Sequence, residues 1–176
     1  MAITVPLPTH VLMPKPNRFQ RAVAIPLSFV SILWIILSID YLFGLNLRIY
    51  GVQPRTEHGL IGILTMPLLH ADFAHLSSNS VPLLVLGFAL YLLYPSVATW
   101  VMVVSYLVGD ALVWAAARGH SNHIGASGIV YSLIAFMFFS GIFRKDLKSI
   151  ALALITVFLY GGAIWGILPV EPGVSW

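Results

Sequence analysis

Long uninterrupted apolar stretches restrict the fold of this chain more than any other feature of its sequence. Five of them approach or exceed the roughly 20 residues with which an α-helix crosses a bilayer, and they cover about residues 22–45, 75–94, 97–117, 124–143 and 150–168. Charged residues make up only 9% of the chain, whereas a soluble domain carries about 25%. So few charges cannot cover a surface that faces water. The sequence therefore predicts an all-α polytopic membrane protein, a single helical bundle with five transmembrane helices.

The segment between the first two apolar stretches, residues 46–74, is too polar to cross a membrane. It carries charged residues and histidines, yet apolar residues dominate its part from 60 to 69. Such a mixture favours short helices that lie at the membrane interface. A loop of this length is usually functional or disordered, and its apolar content argues against disorder.

The distribution of lysine and arginine predicts the topology, because basic residues favour the cytoplasmic side. Six fall on one side of the membrane and three on the other: Lys15, Arg18, Arg21, Arg144, Lys145 and Lys148 against Arg48, Arg55 and Arg118. We therefore expect residues 1–20 to form a cytoplasmic tail and residues 21–176 to form the membrane domain, in the plasma membrane of a bacterium. In this topology His75, Asn79 and Ser127 lie at similar depth near the outer face.

Polar residues at the start of the second and fourth apolar stretches are candidates for chemistry. His75 and Asn79 are four residues apart, so they share one face of a helix. Both side chains can donate hydrogen bonds, as an acyl-transfer enzyme requires for a developing oxyanion. Ser127 lies among small residues, which either let two helices pack closely or leave room around a nucleophile. Tyr131 follows one turn later on the same face.

Other polar residues suggest a metal site or a transport function. Asp110 lies within the third apolar stretch, where acids are costly and often functional, and we expect it to make a structural hydrogen bond. His120 and His123, with His70, His75 and Asp72, have metal-binding side chains, but their spacing matches no standard zinc pattern. The chain has no cysteine, which excludes disulfides and thiolate ligands. We expect no metal or other cofactor, and the absence of a basic stripe argues against nucleic acid.

Two segments together resemble the rhomboid family of intramembrane serine proteases. They read HADFAHLSSN, at the start of the second apolar stretch, and NHIGASGIVY, at the start of the fourth. The residues that match the family pattern are His70, His75, Asn79, Gly125, Ser127, Gly128 and Tyr131. The resemblance extends over about residues 50–176. It implies a rhomboid-like helical bundle in which five of the family's usual six transmembrane helices are present.

The resemblance implies a function and a set of catalytic residues. Ser127 would be the nucleophile of an endopeptidase that cleaves membrane-anchored proteins near the outer face through an acyl-enzyme. His75, Asn79 and the backbone amide of Ser127 would form the oxyanion hole. The partners would be transmembrane protein substrates and the lipid bilayer, and the reaction would need no metal.

The resemblance also implies supporting roles for four further residues. His70 resembles a histidine that orders the site, and Tyr131 resembles an aromatic residue that packs against the catalytic histidine. Gly125 and Gly128 resemble the glycines that allow close approach of backbone and substrate. The segment after the first helix resembles the membrane-embedded loop of the family.

Two parts of the family pattern are missing: a Trp-Arg pair of the first loop, where this sequence has Leu47-Arg48, and, more important, the general base. In the family, a histidine on the sixth helix activates the serine, and this sequence ends before such a helix. A serine hydroxyl without a base is a poor nucleophile. An alternative base within the chain is His123, provided that the fourth helix begins early enough to include it. The competing hypothesis is a catalytically inactive rhomboid-like protein that binds transmembrane helices.

Overall fold

A computed structural model describes residues 16–144, 150, 151, 154 and 155 of the chain. In this part, four helices are long and apolar enough to cross a membrane. The only extended pairing among these residues is an isolated antiparallel bridge between Val52 and His123. The predicted helical bundle is therefore confirmed for four of the five spans. Most of the fifth, 150–168, lies outside the described residues.

The first membrane helix, α1, runs over Arg18–Phe43 and so begins about four residues before the predicted start at 22. The earlier start has a local cause in the residue that precedes the helix. The Gln20 N–H donates to Asn17 Oδ1, and the Asn17 N–H donates to Gln20 Oε1, both at 2.9 Å. This reciprocal capping box satisfies backbone donors that would otherwise lack partners. Gly44, with φ of 62°, ends the helix in a left-handed conformation.

The loop after α1 forms short helices at the apolar residues from 60 to 69, as predicted, and one further turn before them. A 3₁₀ turn spans Leu47–Tyr50, α2 spans Gly59–Thr65, and a second 3₁₀ turn spans Met66–Leu68. Gly62 lets α2 lie directly on the backbone of the preceding segment, because a Cβ there would be 2.4 Å from the Val52 nitrogen.

Three further membrane helices follow with bounds close to those predicted. They are α3, Phe73–Leu93; α4, Ala98–Ala116; and α5, Ser127–Arg144. α5 begins three residues later than predicted because Gly125, with φ of 110°, holds a backbone conformation that no right-handed helix contains. The chain therefore turns sharply immediately before Ser127.

The buried core lies between α1, α3 and α5, whereas α4 packs beside α5 and α2. Pro26 of α1 fits against Gly87 of α3, where a Cβ would be 3.0 Å from the proline ring. The Trp34 indole N–H donates to Ser80 Oγ at 3.1 Å and links the same two helices. The largest fully buried side chains in this core are Leu33, Leu76, Leu86, Leu90, Ile129, Leu133 and Met137. This packing sets α3 and α5, which carry the candidate site, side by side.

Basic and aromatic residues gather at the end of the bundle where α1 starts and α3 ends. Arg18 and Arg21 line a cavity of about 220 Å³ with Tyr91 and Pro95. Near this end, the Arg144 guanidinium lies over the ring of Tyr94, 5.1 Å from its centroid. Three of the six basic residues that the charge pattern assigns to one side, Arg18, Arg21 and Arg144, thus lie at one end of the described bundle; the other three lie outside the described residues. That this end faces the cytoplasm is still a prediction.

Candidate active site

The first two turns of α3 hold two polar side chains that the sequence singles out. His75 is half-buried and Asn79 is buried, and they lie one turn apart on the face toward α5. The Asn79 side-chain amide donates to the His75 carbonyl at 3.3 Å. The helix begins after Asp72, whose Oδ1 accepts a hydrogen bond from the His75 N–H at 2.7 Å. This cap determines where α3 begins and therefore where its first turns place His75 and Asn79.

The segment before α5 meets these side chains at Gly125. A Cβ at this position would lie 2.8 Å from both Cε1 and Nε2 of His75, and 3.7 Å from Nδ2 of Asn79. The Gly125 N–H donates to the Met66 carbonyl at 2.9 Å, which ties the turn to the loop before α3. The structure thus brings His75 and Asn79 against the backbone two residues ahead of Ser127. This agrees with the similar depth that the topology predicts.

Ser127 is the first residue of α5 and is half-buried. The first N–H groups of a helix have no partner within the helix, and the partial positive charge at this end favours an anion. In this turn the N–H groups of Ile129 and Val130 both donate to the Ala126 carbonyl, at 3.1 and 3.2 Å. The amide of Ser127 precedes them in the same turn. A hydroxyl and a backbone donor are therefore available at one residue.

His70 lies behind His75 in the interior. It is 2% exposed, and its ring meets that of His75 edge to face with centroids 5.1 Å apart. Neither ring nitrogen has a hydrogen-bond partner among the described residues. Burial lowers the pKa of His70 from 6.5 to about 4 and His75 acts in the same direction, while the Leu68 backbone opposes them without reaching hydrogen-bonding geometry. His70 therefore presents a neutral ring to its neighbour.

Gly128 and Tyr131 are the remaining residues of the motif, and Gly128 lies toward α4. A Cβ on Gly128 would lie 3.7 Å from Oδ1 of Asp110 and 3.9 Å from Cε of Met66. Asp110 is 0% exposed, and neither carboxyl oxygen has a hydrogen-bond partner in the part of the chain that the structure describes. The structural hydrogen bond that the sequence suggests is therefore not made there. Tyr131 is half-buried one turn after Ser127.

A backbone bridge that sequence reasoning missed supports the turn before Ser127. The Val52 N–H donates to the His123 carbonyl at 2.9 Å, and the His123 N–H donates to the Val52 carbonyl at 2.8 Å. The Asn122 side-chain amide donates to the Arg48 carbonyl at 2.7 Å. The long loop thus holds the segment that leads into Ser127. Gly51 was the available signal, since a Cβ there would be 2.5 Å from the His123 carbonyl oxygen.

His123 does not meet the condition for serving as an alternative base on the helix. α5 begins at Ser127, so His123 is not on a preceding helical turn. Its Nε2 lies 2.8 Å from Ser121 Oγ in a hydrogen bond. Burial lowers the pKa of His123, and the charge of Arg118 lowers it further. The contacts of this histidine are those of a buried residue that supports the loop.

Arg55 is a second residue that sequence reasoning missed. Its Nη1 donates to the carbonyls of Ala117 and Ala115, at 2.7 and 3.2 Å, and its backbone N–H donates to the Trp114 carbonyl at 3.0 Å. These bonds satisfy the exposed carbonyls at the end of α4, where a cation also suits the helix dipole. Nothing in the sequence pairs Arg55 with a helix end about 60 residues away.

A metal centre finds no support in the geometry. Within the described ranges, no group of three or more histidine, aspartate or glutamate residues is arranged to hold a metal ion. The sequence pattern that raised the metal hypothesis therefore has no counterpart in the side-chain arrangement of those residues.

Comparison of the sequence with known proteins identifies its family. The sequence profile of the Rhomboid domain matches residues 57–176. Uncharacterized proteins of Mycobacterium tuberculosis (strain ATCC 25618 / H37Rv) and Mycobacterium bovis are each 37% identical over 158 residues, which cover 85% of this chain and 66% of theirs. An uncharacterized protein of Mycobacterium leprae is 34% identical, with 62% of its length covered.

The chain thus spans about two thirds of the length of these curated relatives, at 66% for the two more similar proteins. No solved structure gives a significant match. The profile match covers more than half of the chain and includes both motif segments, from His70 to Asn79 and from Gly125 to Tyr131. The chain therefore belongs to the rhomboid family of intramembrane proteases.

Proposed function

We propose that the chain is the core of an intramembrane serine endopeptidase that cleaves membrane-anchored proteins near the outer face of the bilayer. The observation that carries this proposal is the closeness of the His75 and Asn79 side chains to Gly125, since they lie 2.8 and 3.7 Å from where a Cβ would stand. It sets two side-chain donors beside the backbone that leads into Ser127. A helix-packing motif alone would not require polar side chains on the facing helix at this position.

In the proposed reaction, Ser127 Oγ attacks the scissile carbonyl carbon as a base accepts its proton. The carbonyl oxygen becomes an oxyanion that accepts hydrogen bonds from His75, Asn79 and the Ser127 N–H. Collapse of the tetrahedral intermediate breaks the C–N bond, and the departing amine takes the proton. Water then hydrolyses the acyl-enzyme with the same base. Preorganised donors of this kind are usually the largest single contribution to such catalysis.

The base itself comes, in this proposal, from a histidine on the sixth helix that the family resemblance implies. His70 keeps His75 in place by the edge-to-face contact of their rings. Tyr131 packs against that histidine, and Gly128 allows close approach of the substrate to the backbone. We further propose that the N-terminus is cytoplasmic, that the protein resides in the plasma membrane, and that its substrates are transmembrane proteins.

Labelling with a fluorophosphonate probe tests the proposal, because only an activated serine reacts rapidly. In the full-length protein reconstituted in lipid, we expect the Ser127→Ala variant to lose labelling. Ser132→Ala is a matched control, since Ser132 lies on α5 near Gly109 of α4, away from the proposed donors. We expect this control to label like the wild-type protein.

Equal labelling of wild type and Ser127→Ala would contradict the protease proposal. The alternative function, an inactive rhomboid-like protein that binds transmembrane helices, would then be favoured. It predicts that capture of a transmembrane partner is unchanged in Ser127→Ala.

A further inference from the structure

The first turn of α3 depends on one exposed side chain. Asp72 is the N-cap residue, and its Oδ1 accepts the His75 N–H at 2.7 Å. His75 is the third residue of the helix, the position whose orphan N–H a capping side chain satisfies. The residue that caps the helix and the residue whose side chain faces Gly125 are therefore joined by a direct hydrogen bond. Asp72 is exposed, so its side chain does not contribute to the packing of the core.

The ring of His75 has close neighbours and little room to move. Its Nε2 and Cε1 already lie so near Gly125 that even a methyl group there would be only 2.8 Å away. On its other side, the ring contacts His70 with centroids 5.1 Å apart. A rotation or fraying of the first turn would move the ring relative to both neighbours. Donors that are displaced by about 1 Å lose much of their effect on a transition state.

Aromatic contacts attach the first turn of α3 to α1, but they do not supply a partner for the His75 N–H. The ring of Phe73 stacks on Trp34 of α1 with centroids 5.9 Å apart, and it meets Tyr41 edge to face at 5.6 Å. These aromatic contacts attach the start of α3 to α1. They do not reach the His75 N–H, whose partner is the Asp72 carboxylate.

We propose that Asp72 is a positioning residue for catalysis, which holds His75 at the oxyanion through the hydrogen bond between its carboxylate and the His75 N–H. The inference rests on the proposed function of the site, and it assigns a role to a side chain outside the family motif. Asp72 does not contact the reacting atoms in this role. Any side chain that caps equally well would replace it.

The test compares Asp72→Ala with Asp72→Asn in the full-length protein. Asparagine caps a helix about as well as aspartate, whereas alanine does not. Asp40→Ala is a matched control, because Asp40 Oδ1 accepts the Leu47 N–H at 2.9 Å in the same kind of carboxylate–backbone bond, at the end of α1 rather than at the start of α3. Two measurements are made on each variant: the rate of fluorophosphonate labelling and the hydrogen exchange of backbone amides.

We expect Asp72→Ala to label about tenfold more slowly and Asp72→Asn to label within about threefold of the wild-type rate. We expect Asp40→Ala to label like the wild-type protein. The His75 amide should exchange about tenfold faster in Asp72→Ala, and the Leu47 amide should do so in Asp40→Ala. Slow labelling of Asp72→Asn, or equal losses in Asp72→Ala and Asp40→Ala, would overturn the inference.

Amide exchange separates this inference from the proposed function. If the wild-type protein shows no labelling at Ser127, the protease proposal fails, and exchange alone decides whether Asp72 holds His75. Unchanged exchange at His75 in Asp72→Ala would overturn the positioning role in either case. Faster exchange with full labelling would show that the bond exists but has no catalytic effect, which also overturns the inference.

Discussion

Gly125 combines a left-handed backbone conformation with a close contact to the site, so its substitution separates two physical effects. Its φ is 110°, and a Cβ would lie 2.8 Å from the His75 ring. Gly44 also has a positive φ, 62°, but a Cβ there would have no neighbour within 4 Å. Substitution by alanine would therefore strain the backbone at both glycines, but only at Gly125 would the new methyl group clash with a neighbour.

We predict that Gly125→Ala slows fluorophosphonate labelling by about 100-fold, because the methyl group displaces His75 from its place beside the turn that leads into Ser127. Gly44→Ala should lose about 1 kcal/mol of stability from the left-handed backbone and keep its labelling rate. Labelling rates and thermal unfolding midpoints of both variants check this. Normal labelling of Gly125→Ala would show that His75 need not lie against this turn.

The depressed pKa of His70 makes stability depend on pH. Burial, followed by the influence of His75, lowers this pKa from 6.5 to about 4 in the folded protein. Between these values the unfolded chain binds more protons than the folded protein does. The free energy of unfolding is therefore highest above pH 6.5 and decreases as pH falls toward 4. A full shift of this size corresponds to roughly 3 kcal/mol.

We predict that the thermal unfolding midpoint falls as pH decreases from 6.5 to about 4. His70→Gln, which cannot titrate, should show a shallower dependence. Some slope should persist, because burial also lowers the pKa of His123. Identical slopes for wild type and His70→Gln would argue that His70 is already solvated.

At the scale of whole elements, the loop between α1 and α3 acts as a clamp on α4 and on the segment before α5. It contacts the segment before α5 through the Val52–His123 bridge, and it contacts α4 through Arg55 and the Tyr106 hydroxyl, which donates to the Leu64 carbonyl. The helices in lipid have no hydrophobic force that drives them together. Such polar contacts between elements therefore determine how α4 and α5 are set relative to the site.

We predict that Arg55→Ala destabilises the protein by about 1 kcal/mol, because the carbonyls of Ala115 and Ala117 lose their guanidinium donor. Arg48→Ala is the matched control, since it removes an exposed arginine of the same loop whose backbone carbonyl, not its side chain, makes the contact with Asn122. Thermal unfolding in detergent measures both. Equal midpoints for the two variants would refute the clamp at α4.

At the scale of the whole molecule, the end of the bundle that carries the site must face the outside for the proposed substrates to be cleaved there. The chain contains no cysteine, so single cysteines can report on its topology without a background. Glu57 and Ser96 are exposed and lie at opposite ends of the bundle, one in the loop before α2 and the other between α3 and α4.

We predict that an impermeant maleimide labels Glu57→Cys in intact cells and labels Ser96→Cys only after lysis. The reason is the excess of lysine and arginine at the end where α1 begins. The reverse pattern would place Ser127 on the cytoplasmic side and would change the class of accessible substrates.

The sequence by itself determined the helical elements and the motif. Each backbone segment in lipid must satisfy its hydrogen bonds internally, so apolar stretches alone located α1, α3, α4 and α5 to within a few residues. The order of these spans also placed His75 and Ser127 at the same end of the bundle. The start of α5 came three residues later than the apolar stretch predicts, because the conformation of Gly125 depends on the surfaces that meet there.

Only the tertiary structure decided which side chains support the site. Arg55 at the end of α4 and the bridge from Val52 to His123 join residues about 60 to 70 positions apart, and hydrophobic periodicity carries no information about such partners. The same holds for Asp110, whose position against Gly128 follows from how α4 crosses α5. Hydrogen bonds within a helix join residues that are close in the sequence, so a single segment predicts them. Contacts between helices depend on packing that no single segment specifies.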